Sequence, residues 1–129
     1  MANIGVIGAG SWGTALSVLL HANGNQVTIW SIDPAEVEML DQRREHEKKL
    51  PGVKLADGML ITGDLEKAIT GKDFLVLAVP SPFTRATAKR MSPFVAEKQI
   101  IVDVAKGIEE HTLLTLSRQI EEEIPQADV

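Results

Sequence analysis

Gly8, Gly10 and Gly13, spaced as GxGxxG in Gly8-Ala9-Gly10-Ser11-Trp12-Gly13, are the residues whose type and spacing point most directly to chemistry. That chemistry is phosphate binding by bare backbone. In such a turn the first glycine makes a tight bend, the second lets the main chain approach a pyrophosphate, and the third allows a helix to pack closely on a strand. The phosphates then meet free N–H groups and the positive end of a helix dipole, roughly half an elementary charge. Ser11 and Trp12 lie inside the loop and are candidate cofactor contacts. The alternative is that Ser11 only caps the helix and Trp12 only packs against the sheet.

The elements around the hexad must position it. An apolar run, Asn3 to Ile7, precedes it as a strand, and a helix with Ala15, Leu16, Leu19 and Leu20 as its apolar positions follows. After Asn23-Gly24-Asn25 a second strand runs from Gln26 to Trp30, which completes a βαβ unit. Asp33-Pro34-Ala35-Glu36 predicts a helix capped by Asp33 and starting at Pro34, with Val37 and Leu40 inward. The charged stretch from Asp41 to Lys49 reads as a solvated helix end, stopped by Leu50-Pro51-Gly52.

Beyond it the pattern predicts a strand from Met59 to Thr62, a helix from Asp64 to Thr70 and a turn at Gly71-Lys72. Phe74 to Val79 is apolar throughout, as suits a parallel strand buried on both faces. A helix from Pro82 to Met91, a strand from Gln99 to Val104 and a helix from His111 to Glu123 complete the alternation. The expected fold is α/β, a single three-layer domain of the Rossmann type, with a doubly wound parallel sheet in the order 3-2-1-4-5. Ligands of such sheets lie at the carboxyl ends of the strands. The candidate site is therefore Gly8 to Gly13, Ser31 to Asp33, Val79 to Pro82 and Ala105-Lys106-Gly107.

With 129 residues the chain can bury roughly two-thirds of its unfolded surface. A formal net charge of −5 gives no reason to expect nucleic acid or an acidic membrane as partner, yet it is compatible with a nucleotide held by backbone amides. The absence of cysteine excludes thiol catalysis, disulfides and sulfur-ligated metals. His21, His46 and His111 show no metal-ligand spacing and are expected on helix or loop surfaces, so no metal is expected. The longest apolar run is too short to span a bilayer, and no charged leader with an apolar core precedes the first strand. A cytoplasmic protein without membrane insertion is expected.

Three motifs together, Gly8-Ala9-Gly10-Ser11-Trp12-Gly13-Thr14-Ala15-Leu16, Val79-Pro80-Ser81 and Lys106-Gly107-Ile108-Glu109, are similar to those of the bacterial-type NAD(P)-dependent glycerol-3-phosphate dehydrogenases. Leu50-Pro51-Gly52 also falls where that family has one. The resemblance implies reversible hydride transfer between NAD or NADP and sn-glycerol 3-phosphate, giving dihydroxyacetone phosphate, with glycerol 3-phosphate supplied to phospholipid synthesis. It implies a homodimeric full-length protein. It further implies a helical substrate domain beyond Val129 that carries the proton-transfer lysine, so no catalytic residue is expected within the chain. Two other readings stay open: a non-catalytic NAD(H)-sensing module, and another hydroxyacid-type dehydrogenase.

The resemblance makes Ser11 and Trp12 cofactor contacts and places Lys106 against both cofactor and substrate, where an ammonium would hold a phosphate or polarise a carbonyl oxygen. Asp33 stands 20 residues past Gly13, about where an acid binds the adenosine ribose of NAD, although capping already explains it. The residue after the second strand is Ser31 and not an acid, and the next is Ile32, where many relatives have a basic residue favouring NADP, which leaves cofactor preference open. Lys49 is counted with the cofactor positions as a cation able to reach a 2′-phosphate, against the simpler reading of a solvated charged face that also covers Arg43, Arg44 and Lys48. Pro80 and Ser81 are expected on the nicotinamide side, and Asp103 is given no catalytic role.

Overall fold

A computed structural model describes residues 1–105 and 115–129. Five strands form one parallel sheet: β1 (Asn3–Ile7), β2 (Gln26–Trp30), β5 (Leu60–Thr62), β6 (Phe74–Leu77) and β7 (Ile100–Asp103). Their order is β5-β2-β1-β6-β7, which is 3-2-1-4-5 when the sheet strands alone are counted. The chain leaves β1 toward one edge of the sheet and resumes at β6 toward the other. A crevice therefore opens at the carboxyl ends between these two strands.

Period-two alternation sends successive strand side chains to opposite faces. Ile4, Val6, Val27, Ile29 and Val76 join Leu40 of α2 (Pro34–Arg43) on one side, with Leu16 and Leu20 of α1 (Ser11–Ala22) packed against them. On the other side Ile7, Trp30, Leu75, Leu77 and Ile101 meet α3 (Leu65–Ile69), α4 (Thr84–Met91) and α5 (Leu116–Glu123) through Ala68, Met91 and Ile120. Each buried Leu or Ile contributes about 1.5–3 kcal/mol by leaving water. These two apolar layers hold the strand ends still.

Several sequence expectations need correction. The charged stretch after α2 is not a continued helix: α2 ends at Arg43, and Arg44 takes a left-handed conformation with φ 55°. β3 (Glu45–His46) then pairs antiparallel with β4 (Leu50–Lys54), so Leu50-Pro51-Gly52 opens a strand rather than stopping a helix. His46 is 1% exposed and not a surface residue. Leu19 points to solvent, because Thr14 and Ser17 occupy the buried face of α1. The run from Phe74 is a strand only to Leu77, and a 3₁₀ turn over Ser81–Phe83 precedes α4. The first residues of the helix expected from His111 lie outside the described residues.

Candidate functional site

The three glycines of the hexad do three different things. Gly8 has φ +119°, and a methyl group there would stand 2.7 Å from the Ala78 carbonyl oxygen, so only glycine lets β1 turn this close to the chain leaving β6. A methyl group on Gly13 would overlap the Gly8 carbonyl oxygen, which shows how tightly α1 sits on the strand end. At Gly10 the same group would meet nothing within 4 Å. Gly10 thus faces open space, as a residue reserved for a ligand would.

Gly10 is also the N-cap of α1 and supplies no side-chain cap. The first N–H to find a carbonyl in the helix is that of Thr14, donated to Gly10 at 2.9 Å. Those of Ser11, Trp12 and Gly13 precede it and have no intrahelical acceptor. Ser11 does not cap the helix but begins it, and Trp12 is 61% exposed rather than packed on the sheet. Thr14 and Ser17 turn their hydroxyls back to the Ala9 and Gly13 carbonyls, which keeps this first turn rigid.

Beside the turn lies a cleft of about 260 Å³, walled by Gly10, Ser11 and Trp12 on one side, Ala78, Val79 and Pro80 after β6, and Val104 and Ala105 after β7. Three of the four segments expected to converge thus meet here. Ser81 opens the 3₁₀ turn directly after Pro80. Lys106 and Gly107 lie outside the described residues. Asp103 ends β7, where partial burial pushes its carboxyl above the ordinary carboxylate range, partly opposed by the Ala105 N–H donated to Oδ1 at 3.2 Å.

The end of β2 is organised around a residue the sequence reading did not single out, Glu36. Its Oε1 accepts the Ser31 hydroxyl at 2.6 Å, its Oε2 lies 2.9 Å from His46 Nε2, and Lys49 Nζ approaches the same oxygen at 3.6 Å. His46 Nδ1 accepts the Lys49 backbone N–H at 3.2 Å, so Nε2 carries the hydrogen and donates to Glu36. Ser31 is buried behind this network, whereas Ile32 is 69% exposed. Asp33 caps α2, its Oδ1 accepting from Ala35 N at 3.0 Å. Arg44 donates to the Met59 carbonyl and pairs with Asp41 at 3.5 Å, and Arg43 pairs with Glu47.

Gly5 is a second residue overlooked in the sequence: a methyl group there would overlap the Ala68 carbonyl oxygen, so α3 lies directly against β1. Glycine inside an apolar strand run was the available signal. Among the described residues, no group of three or more His, Cys, Asp or Glu side chains could hold a metal ion, and no helix is long and apolar enough to cross a membrane.

Comparison with known proteins adds a family to this geometry. The family described as NAD-dependent glycerol-3-phosphate dehydrogenase N-terminus matches residues 3–129. A glycerol-3-phosphate dehydrogenase [NAD(P)+] of Agathobacter rectalis is 61% identical over 129 residues, which are 100% of this chain and 38% of that protein. One from Fusobacterium nucleatum is 47% identical over 126 residues, 98% of this chain and 38% of that protein. The crystal structure of glycerol-3-phosphate dehydrogenase from Coxiella burnetii superposes with a TM-score of 0.91 at 28% identity, covering 98% of this chain and 38% of that one. The chain spans 38% of the length of these relatives.

Proposed function

This chain belongs to the NAD-dependent glycerol-3-phosphate dehydrogenase family, matching its N-terminal part, and from that membership we propose that it is the unit that binds the nicotinamide dinucleotide. Within a longer protein it serves reversible hydride transfer between NAD(P)(H) and sn-glycerol 3-phosphate or dihydroxyacetone phosphate. The observation that carries this is the turn at Gly10, where three N–H groups precede the first intrahelical bond and the space beside the Gly10 Cα is open. The pyrophosphate belongs there, and the nicotinamide half extends into the cleft between Trp12, Pro80 and Val104.

The bound nicotinamide supplies the hydride-carrying carbon. The chain's own residues bind and orient it: Gly8, Gly10, Ser11, Trp12 and Gly13 at the diphosphate, Ser31, Ile32 and Asp33 at the adenosine end, Pro80 and Ser81 beside the cleft. Lys49 belongs to the adenosine end through Glu36, and Lys106 to the substrate and cofactor together. Residues 1–129 constitute the cofactor domain, and the length the relatives have beyond it carries a helical substrate domain with the proton-transfer lysine. The whole protein works as a cytoplasmic homodimer and feeds phospholipid synthesis.

Calorimetric titration of the 129-residue chain with NADH tests the central statement. Gly10 has φ −71° and ψ −174°, which any residue adopts, so Gly10→Val should still fold, with a melting temperature lowered only by the poorer N-cap. Its side chain projects at the diphosphate and should weaken NADH binding at least about tenfold, or about 1.4 kcal/mol. Unweakened binding in the variant would remove the turn from the site. The chain alone should bind NADH without reducing dihydroxyacetone phosphate.

A further inference from the structure

Most of the donors that a phosphate would need in the turn between β2 and α2 are already engaged. The Ser31 N–H is donated to the Thr62 carbonyl at 3.2 Å, and the Asp33 N–H to Ser31 Oγ at 3.2 Å. Pro34 has no N–H, and that of Ala35 goes to Asp33 Oδ1. The single O–H of Ser31 goes to Glu36. Lys49, the cation that the β3–β4 hairpin brings to this end, faces the Glu36 carboxylate at 3.6 Å. Asp33 and Glu38 add carboxylates at the turn and at the adjoining cleft of about 270 Å³, which Asp41, paired with Arg44 at 3.5 Å, lines together with Ser31 and Ile32.

From this arrangement we infer that the β2–α2 turn selects an unphosphorylated adenosine ribose, so that NAD(H) binds in preference to NADP(H). The inference rests on the dinucleotide reading above and deepens it. A ribose 2′-hydroxyl is a donor as well as an acceptor, and an exposed carboxylate such as that of Asp33 accepts what it donates. A 2′-phosphate brings nearly two negative charges into a field of like sign. Glu36 is the specificity-determining residue, because it neutralises Lys49 and engages the Ser31 hydroxyl at once.

The test is a calorimetric titration of the same chain with NADH and with NADPH at low and at high salt. NADH should bind at least about tenfold tighter at low salt, and the ratio should narrow as salt screens the carboxylates. Equal affinities, or tighter NADPH, overturn the selection and leave the nucleotide reading standing. Binding of neither overturns the nucleotide reading and this inference with it. Glu36→Gln releases Lys49 and removes one carboxylate, so the ratio should shift toward NADPH by about threefold or more. Should that variant fail to fold, Glu38→Lys, at an exposed position on the cleft, should shift the ratio the same way. An unchanged ratio in a folded variant counts against the inference.

Discussion

At the scale of single residues, glycines in this chain answer to different neighbours, and substitution separates them. Gly5→Ala places a methyl group on the Ala68 carbonyl oxygen, and Gly13→Ala places one on that of Gly8. Because backbone rather than a flexible side chain must give way, each should cost about 1–3 kcal/mol, read as a lowered urea midpoint. Stability within about 0.5 kcal/mol of the parent would contradict the close helix-on-strand contacts. Gly8, Gly10 and Gly13 were legible from spacing alone, because each role follows from the turn itself. Gly5 was not read, since its reason lies across the chain in α3.

Asp103 offers a second test at this scale. Its carboxyl is raised by burial, so the folded chain holds this proton more tightly than the unfolded chain does. Its contribution to stability is therefore fully present below the unfolded carboxylate range and is lost as pH rises through the raised value. Asp103→Asn keeps an oxygen to accept from Ala105 and removes the titration. The variant should be the more stable at neutral pH, with the difference closing as the pH falls below about 4, near the unfolded aspartate value. A difference independent of pH in chemical denaturation would show that desolvation of this group is not the cause.

At the scale of elements, the five parallel strands and their order were legible because apolar runs bounded by turn residues declare themselves locally. The hairpin of β3 and β4 was not. Its strands hold Glu45 and His46 on one side and Leu50-Pro51-Gly52-Val53-Lys54 on the other, without apolar alternation and with both residues that ordinarily argue against a strand. Nothing in a single sequence joins His46 to Glu36, ten positions earlier. Three-dimensional pairing, not propensity, makes this hairpin. His46→Ala should accordingly raise hydrogen exchange at the amides of residues 44–55 at least about tenfold and leave β1 and β6 protected. Uniform loss of protection across the sheet would mean that His46 supports the fold globally.

At the scale of the molecule, the reversal of winding between β1 and β6 turns several weak local cues into one place. The hexad, the Val79-Pro80 segment and Val104-Ala105 are far apart in sequence yet share a single cleft. Ser31 and Ile32 border another, on the far side of β1. The layers above and below leave these ends open, while buried hydrophobic side chains on both faces of the sheet form the two apolar layers. That division of labour suits a chain with net charge −5 to an anionic cofactor, because the groups proposed to grip it are uncharged amides fixed by the fold.

Trp12 stands 61% exposed beside the first cleft, and Trp30 is 3% exposed within the sheet, where its indole N–H reaches the Gly63 carbonyl and Arg90 lies over its ring. With no tyrosine in the chain, these two indoles are its whole emission when excited at wavelengths that phenylalanine does not absorb. They form a pair of built-in lamps with separate meanings. Iodide should quench the outer one, and a nucleotide bound at the proposed turn should shade it, whereas the inner one should change colour only when the sheet itself comes apart.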